Sequence, residues 1–303
     1  MLADLHDEVI LLYGDIGNKL FDEFKYSFPG RAINCGVAES NMVSVAAGLA
    51  RQGFRPFVYT INSFLYLKAL EQIKLDVCYT KLPVVFVGTG AALSYSALGT
   101  THHSLEDIGV LGNLPDLQIF APSSPDELPN LLTFAYLQAR PSYIRIGKKG
   151  ESNLPLYDKI KSGKDFYELQ RRNKYESSVG VVLSYGTISK VVAEALEDLE
   201  LRGTSLDHFT ITQIKDLDFA SLSKILSKQS KVVVVEEHYS NGGLLDAIYK
   251  LKDLRKYSFE IHGINAGMNF LVGLGELESA RKQIGLDDKT IASEILTFLG
   301  KKK

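Results

Sequence analysis

The sequence predicts an α/β protein built of two consecutive three-layer domains, each with a mostly parallel sheet. Three observations carry that expectation. Short apolar runs of strand formers alternate with longer helical stretches, the order that lays helices on the faces of a parallel sheet. Several of the runs end at Gly or Pro, where a loop leaves a buried strand. The 303 residues also suffice for two domains of about 100–200 residues each.

In the first half, strands are expected at Val9–Tyr13, 56–61, 84–87, 117–120 and Ser142–Ile146. The first is the unbroken run Val-Ile-Leu-Leu-Tyr, stopped by Gly14. A helix fits Glu39–Arg51, closed by Gly53. Its residues Val43, Ala46, Ala47 and Ala50 share one stripe of mostly small side chains, which lets a neighbouring backbone come close. Further helices fit 64–79 and, after Pro125, 126–139. The second half repeats the style, with strands at 179–184, 208–211, 232–235 and 258–261 and helices at 190–201, 220–226, 244–252 and 276–284. Residues 151–176 mix Lys, Asp, Glu, Asn and Gly with scattered apolar positions and read as a linker between domains at 1–150 and 177–303. No internal repeat or low-complexity segment interrupts this order.

Hydrophobic residues at 45% and charged residues at 23% describe a soluble globular chain with a sizeable core. The net charge of −2 exerts no general pull toward nucleic acid or an anionic membrane surface. No apolar run approaches the roughly 18 residues of a membrane span. The two cysteines, Cys35 and Cys78, form no CxxC pair and read as reduced thiols. The start, Met1-Leu2-Ala3-Asp4, lacks the basic-then-apolar pattern of a signal. A cytoplasmic protein is expected.

The strongest local signal is Cys35-Gly36-Val37-Ala38-Glu39-Ser40-Asn41-Met42, running into a helix that contains Ala46-Ala47-Gly48-Leu49-Ala50. Glu39 falls in the first helical turn, where an acid can simply offset the helix dipole for about 0.3–1 kcal/mol. The words around it nevertheless resemble the segment of transketolases and deoxyxylulose-phosphate synthases that carries their cofactor-activating glutamate. The likeness continues along the chain. Tyr13-Gly14-Asp15-Ile16-Gly17 resembles the opening strand and loop of the family's pyrimidine-binding domain. Ser63-Phe64-Leu65 followed by Glu71-Gln72-Ile73 is similar to its aromatic segment, and Gly99-Thr100-Thr101-His102-His103 to its Gly-Pro-Thr-His-Gln stretch. Ala121-Pro122-Ser123-Ser124-Pro125 resembles the next loop, and Val235-Glu236-Glu237-His238 with Gly242-Gly243 a landmark of the C-terminal domain. The fold implied is a thiamine-diphosphate pyrimidine-binding domain followed by a transketolase C-terminal domain.

The resemblance also implies roles. Glu39 would hydrogen-bond the pyrimidine N1′ of thiamine diphosphate and favour the imino tautomer that deprotonates the thiazolium carbon. A carboxyl in a mostly apolar pocket retains its proton more readily, which suits that exchange. Val37 and Phe64 would line the cofactor, with a plain core phenylalanine as the competing reading of Phe64. Asp15 would reach the cofactor across a subunit interface, or else only hold an Asx-type turn before Gly17. His102 matches the substrate-facing histidine. Lys148 stands where transketolases carry a phosphate-binding arginine, with Arg145 nearby, and lysine would serve there as a point charge. A solvated strand end is the alternative. His103 and Asp107 have helical i,i+4 spacing, but a structural metal site takes about four ligands and no other cluster supplies the rest, so no metal site is expected in this chain.

Two departures from the family pattern matter. The stretch 90–98 contains no acid or histidine, unlike the sugar-reading loop of transketolases. The Gly-Asp-Gly motif that holds Mg²⁺ and the diphosphate does not occur. The resemblance therefore implies a split enzyme, with Mg²⁺ on an N-terminal diphosphate-binding partner in an α2β2 assembly. Two-carbon ketol transfer between sugars, sugar phosphates or nucleotide sugars is the implied activity, with surface-polysaccharide synthesis as one setting.

Other readings remain open from the sequence: the β subunit of a 2-oxo acid dehydrogenase, a deoxyxylulose-phosphate-synthase-like enzyme, or a non-catalytic assembly subunit. A dinucleotide turn at Gly88-Thr89-Gly90 fails where Leu93 replaces the third glycine.

Overall fold

The computed structural model describes residues 2–17, 19–148, 150–154, 157–162, 167–172 and 178–301, with 157–162 and 167–172 described by backbone alone. It contains two sheets in sequence, as the alternation of strands and helices predicts. The first is all parallel, ordered β2-β1-β3-β4-β6-β5. Its strands are β1 (Val9–Tyr13), β2 (Ala32–Asn34), β3 (Arg55–Ile61), β4 (Val85–Thr89), β5 (Gln118–Phe120) and β6 (Ser142–Ile146). The helices are α1 (Leu2–Leu5), α2 (Asp22–Ser27), α3 (Glu39–Arg51), α4 (Asn62–Lys68), α5 (Leu70–Gln72), α6 (Asp107–Leu111) and α7 (Leu128–Gln138).

The central strands are buried on both faces, which is why they read as continuous apolar runs. Along β4, Phe86 joins the core beneath α3, while Val85 and Val87 face Leu131 and Ala135 of α7. The small stripe of α3 is buried as its spacing predicts: Val43, Ala46, Ala47 and Ala50 all lie in that core.

The second sheet is ordered β12-β11-β9-β10-β8-β7. Strands β9 (Val181–Ser184), β10 (Asp207–Ile211), β11 (Lys231–Val235) and β12 (Glu260–Ile264) are parallel. The hairpin β7 (Tyr157–Ser162) and β8 (Tyr167–Arg172) adds antiparallel beside β10. The stretch expected as a linker thus contributes two strands. Helices α8 (Ile188–Leu201) and α12 (Asp288–Phe298) cover one face; α9 (Phe219–Leu226) and α10 (Leu244–Arg255) cover the other, and α11 (Leu277–Gln283) packs near the first half.

The two sheets meet along a hydrogen-bonded seam. Ala121 N–H donates to Thr212 O at 2.7 Å, Ile214 N–H to Ile119 O at 2.9 Å and Tyr239 N–H to Leu105 O at 2.7 Å. One apolar cluster runs through both halves.

The long helix expected over 64–79 is instead α4, α5 and a π-helical turn at Ile73–Cys78. The break falls at Ala69 (φ −110°, ψ 16°), directly after Lys68.

Candidate functional site

The loops that leave neighbouring parallel strands gather at one edge, the usual place for ligands in an open α/β sheet. β1 leads to Gly14 and Asp15. β2 leads through Cys35 and Gly36 to Val37 and the first residue of α3, Glu39. β3 runs directly into α4, which carries Phe64 and Lys68. Gly36 takes a φ of +70° that side-chain-bearing residues avoid, and this turn aims the chain into α3.

Glu39 is only 4% exposed although it opens a helix. Its Oε2 lies 3.4 Å from Lys68 Nζ. The same ammonium stands 4.4 Å from the centroid of the half-buried Phe64 ring. Phe64 meets His102 edge to face, with centroids 5.0 Å apart, and Tyr95 lies 6.2 Å from His102 on another side. Thr101 Oγ1 and His102 Nδ1 are 2.9 Å apart. Burial holds the pKa of His102 below its ordinary value, so the ring is neutral near pH 7. Residues far apart in sequence are thereby brought together: Glu39, Phe64 and His102 share one site.

Val37 is 76% exposed at the rim of that site. Asp15 is exposed and accepts a hydrogen bond from Asn34 Nδ2 at 3.1 Å, while Asn34 Oδ1 accepts from Gly36 N–H at 2.9 Å. Asp15 therefore braces the turn that delivers Glu39.

Lys148 is exposed just past β6. Arg145, expected beside it as a phosphate contact, is instead 2% exposed and turned into the seam. Its Nε donates to Asp107 Oδ2 at 2.9 Å, and Nη2 donates to the carbonyls of Ser104 and Glu237, each at 3.0 Å. A guanidinium engaged in this way bridges the two halves and does not face a ligand, which corrects that expectation. Asp107 also accepts from Asn62 Nδ2 at 2.8 Å and Tyr143 OH at 2.6 Å. Asn62 Oδ1 also lies against Tyr143 OH, so Asp107 and Asn62 share its one proton. Gly88 must be a glycine here, since a Cβ would sit 2.1 Å from Asn62 Oδ1. Asp107 is thus neutralised by Arg145, and among the described residues no group of three or more His, Cys, Asp or Glu side chains could hold a metal ion.

Sequence reasoning missed Lys68 and the Asn62–Asp107–Tyr143 network. Lys68 had a signal, its i,i+4 spacing from Phe64 on one helix face. The network had none, because its members come from separate elements.

The donor set fits the aminopyrimidine half of thiamine diphosphate. A buried carboxyl can donate to a ring nitrogen when protonated and accept from it when ionised, the half-buried Phe64 offers a face for stacking, and Val37 adds an apolar rim.

Comparison with known proteins gives the family. Residues 2–151 match the family "transketolase, pyrimidine binding domain", and residues 174–268 match "transketolase, C-terminal domain". The chain belongs to the transketolase family. It is 31% identical to a subunit of the apulose-4-phosphate transketolase of Actinobacillus succinogenes, over 91% of this chain and 87% of that one. It is 32% identical to the 1-deoxy-D-xylulose-5-phosphate synthase of Dictyoglomus thermophilum, covering 91% of this chain but 44% of the synthase. Among solved structures, a split-gene transketolase described as an inactive β4 tetramer superposes with a TM-score of 0.78 at 25% identity, over 100% of this chain and 95% of that one. The transketolase of Campylobacter jejuni shares the fold, with a TM-score of 0.80 at 19% identity, over 98% of this chain and 44% of its own. Transketolase membership implies thiamine-diphosphate-dependent transferase chemistry, in a chain of the β type. No helix among the described residues is long and apolar enough to cross a membrane.

Proposed function

We propose that this chain is the β-type subunit of a split transketolase-like enzyme that moves a two-carbon ketol unit between sugars. The observation that carries the reading is the buried Glu39 carboxyl, joined through the Lys68 ammonium to the Phe64 ring, which in turn packs on His102. When bound, thiamine diphosphate supplies a nucleophilic thiazolium carbon; the protein orients and tunes it. Glu39 holds and exchanges a proton at the pyrimidine N1′. Phe64 stacks on the pyrimidine ring, and Val37 excludes water at its edge. Asp15 steadies the Glu39 turn and would reach the cofactor across a subunit interface. His102, kept neutral by burial, accepts or donates a hydrogen bond at a substrate hydroxyl. Lys148 attracts a substrate phosphate as a point charge.

In this reading Mg²⁺ and the diphosphate are held by an N-terminal-type partner, and the assembly is a cytoplasmic α2β2 heterotetramer. The pyrimidine-binding domain comprises residues 1–150 and the C-terminal domain 177–303, with 151–176 joining them and adding its hairpin to the second sheet. Support comes from the coverage of subunit-type relatives, 87% and 95% of their lengths. The acceptor class is a sugar, sugar phosphate or nucleotide sugar. A second reading, a deoxyxylulose-phosphate-synthase-like activity, is favoured by the 32% identity to a 1-deoxy-D-xylulose-5-phosphate synthase. Donor screening of the reconstituted pair separates the two.

Calorimetry tests the division of labour. Alone, the chain is expected to bind thiamine diphosphate weakly and without Mg²⁺ dependence; with a diphosphate-binding partner the binding becomes tight. Tight Mg²⁺-dependent binding by the chain alone would overturn the split reading.

A further inference from the structure

Lys68 occupies a peculiar position. Its ammonium lies 3.4 Å from Glu39 Oε2 and 4.4 Å from the Phe64 ring centroid. Those are the two surfaces that an aminopyrimidine would use: one hydrogen-bonds its ring nitrogen, the other stacks on its face. We propose that Lys68 is an internal stand-in for the aminopyrimidine, a latch that fills this subsite in the unliganded chain and must swing out before the ring can enter. The inference rests on the reading of Glu39 and Phe64 as the pyrimidine subsite.

The local structure suits a latch. The backbone of Lys68 is anchored, because its carbonyl accepts from Ser40 Oγ at 2.6 Å, next to Glu39 itself. Lys68 is also the last residue of α4, just before the break at Ala69. That side chain is 50% exposed, and its four-carbon stem has ample rotamer freedom. Fixed at its base and free at its tip, it can rotate into solvent without moving Phe64 or α3.

The energetics point the same way. A buried carboxylate without a partner is costly, and Glu39 is largely buried. The Lys68 ammonium offsets that cost until a ring takes its place. An ion pair and a cation–π contact at a half-exposed lysine are both weak, so a ligand can displace them. The latch thus lowers affinity for stray pyrimidines without closing the site.

The probe for this device is 4-amino-5-hydroxymethyl-2-methylpyrimidine, the aminopyrimidine half without diphosphate, titrated into the full chain and followed by NMR. Lys68→Met keeps the length of the side chain and removes its charge. It is expected to bind the probe about two- to fivefold more tightly than wild type, a shift in the range that weak surface charge contacts can give. Lys68→Arg keeps the charge and should bind no more tightly than wild type. Glu39→Gln should weaken probe binding in both the wild-type and the Lys68→Met background. Binding that is lost in Glu39→Gln but unchanged or weaker in Lys68→Met overturns the latch and leaves the subsite standing. Binding that ignores Glu39→Gln, or no binding even in Lys68→Met, overturns the subsite and the latch together.

Discussion

Arg145 and Lys148 leave the same strand end and finish in opposite surroundings. Arg145 points into the seam and is held by Asp107, Ser104 and Glu237. Lys148 reaches solvent. Arg145→Met should therefore act on stability, because it strands the Asp107 carboxylate without its cation in a buried site. Removing one partner of such a pair costs about 3–5 kcal/mol, read as a lower urea midpoint. A loss confined to substrate affinity, with the midpoint unchanged, would contradict the seam assignment. Lys148→Ala should leave folding intact and raise KM for a phosphorylated substrate about three- to tenfold with kcat nearly unchanged, the pattern of a lost uniform-binding contact. An equal effect on a phosphate-free substrate would show that Lys148 does not read phosphate. Sequence alone could not separate these two cations, since both end a strand and only the second sheet decides which one is covered.

At the scale of elements, most buried segments were legible, β5 among them, whereas β2 and the break in the 64–79 helix were not. β1, β6 and α3 lie at the expected bounds: α3 buries one stripe of small residues at helical spacing, and β1 is buried along its whole length and leaves a continuous apolar run. β2, only Ala32–Asn34, is too short to leave one, though it delivers the Glu39 turn. The break after Lys68 was hidden because Ala69 and its neighbours are ordinary helix formers. Glu39, Phe64 and His102 were legible as family motifs, whereas their mutual packing depends on three separate loops. His238 supplies a test of the seam. Its Nε2 accepts from Gly109 N–H at 3.2 Å, and Nδ1 lies 2.7 Å from Tyr239 O, an arrangement that requires a neutral ring. Burial lowers its pKa accordingly. A lowered histidine pKa contributes stability above the unfolded value near 6.5, which is lost as pH falls through the folded value. Wild type should exceed His238→Gln by about 1–2 kcal/mol at pH 7.5, and the gap in unfolding free energy should close toward pH 5. A gap that does not depend on pH would contradict the neutral-ring bridge.

For the molecule as a whole, the apolar cluster that runs through both halves and the hydrogen-bonded seam tie the Glu39 site to the second sheet. A partner chain is expected across the exposed rim at Val37. Light scattering of the reconstituted pair is expected to give two copies of each chain, and full activity in a stable 1:1 heterodimer would count against that assembly. The central claim is that Glu39 is the proton-exchanging group of the cofactor site, and one substitution tests it most directly. Glu39→Gln keeps the size and one hydrogen bond, so folding and assembly should survive with a stability change within about 1 kcal/mol, the scale of the lost charge–dipole interaction. Removing a positioned acid–base group typically costs about 10²–10⁴-fold in rate. Hydrogen–deuterium exchange at C2 of thiamine diphosphate bound to the reconstituted enzyme, followed by NMR, should slow by that factor in the variant. Exchange at the wild-type rate in a variant that assembles and binds cofactor would contradict the claim and leave Glu39 as a helix-capping charge.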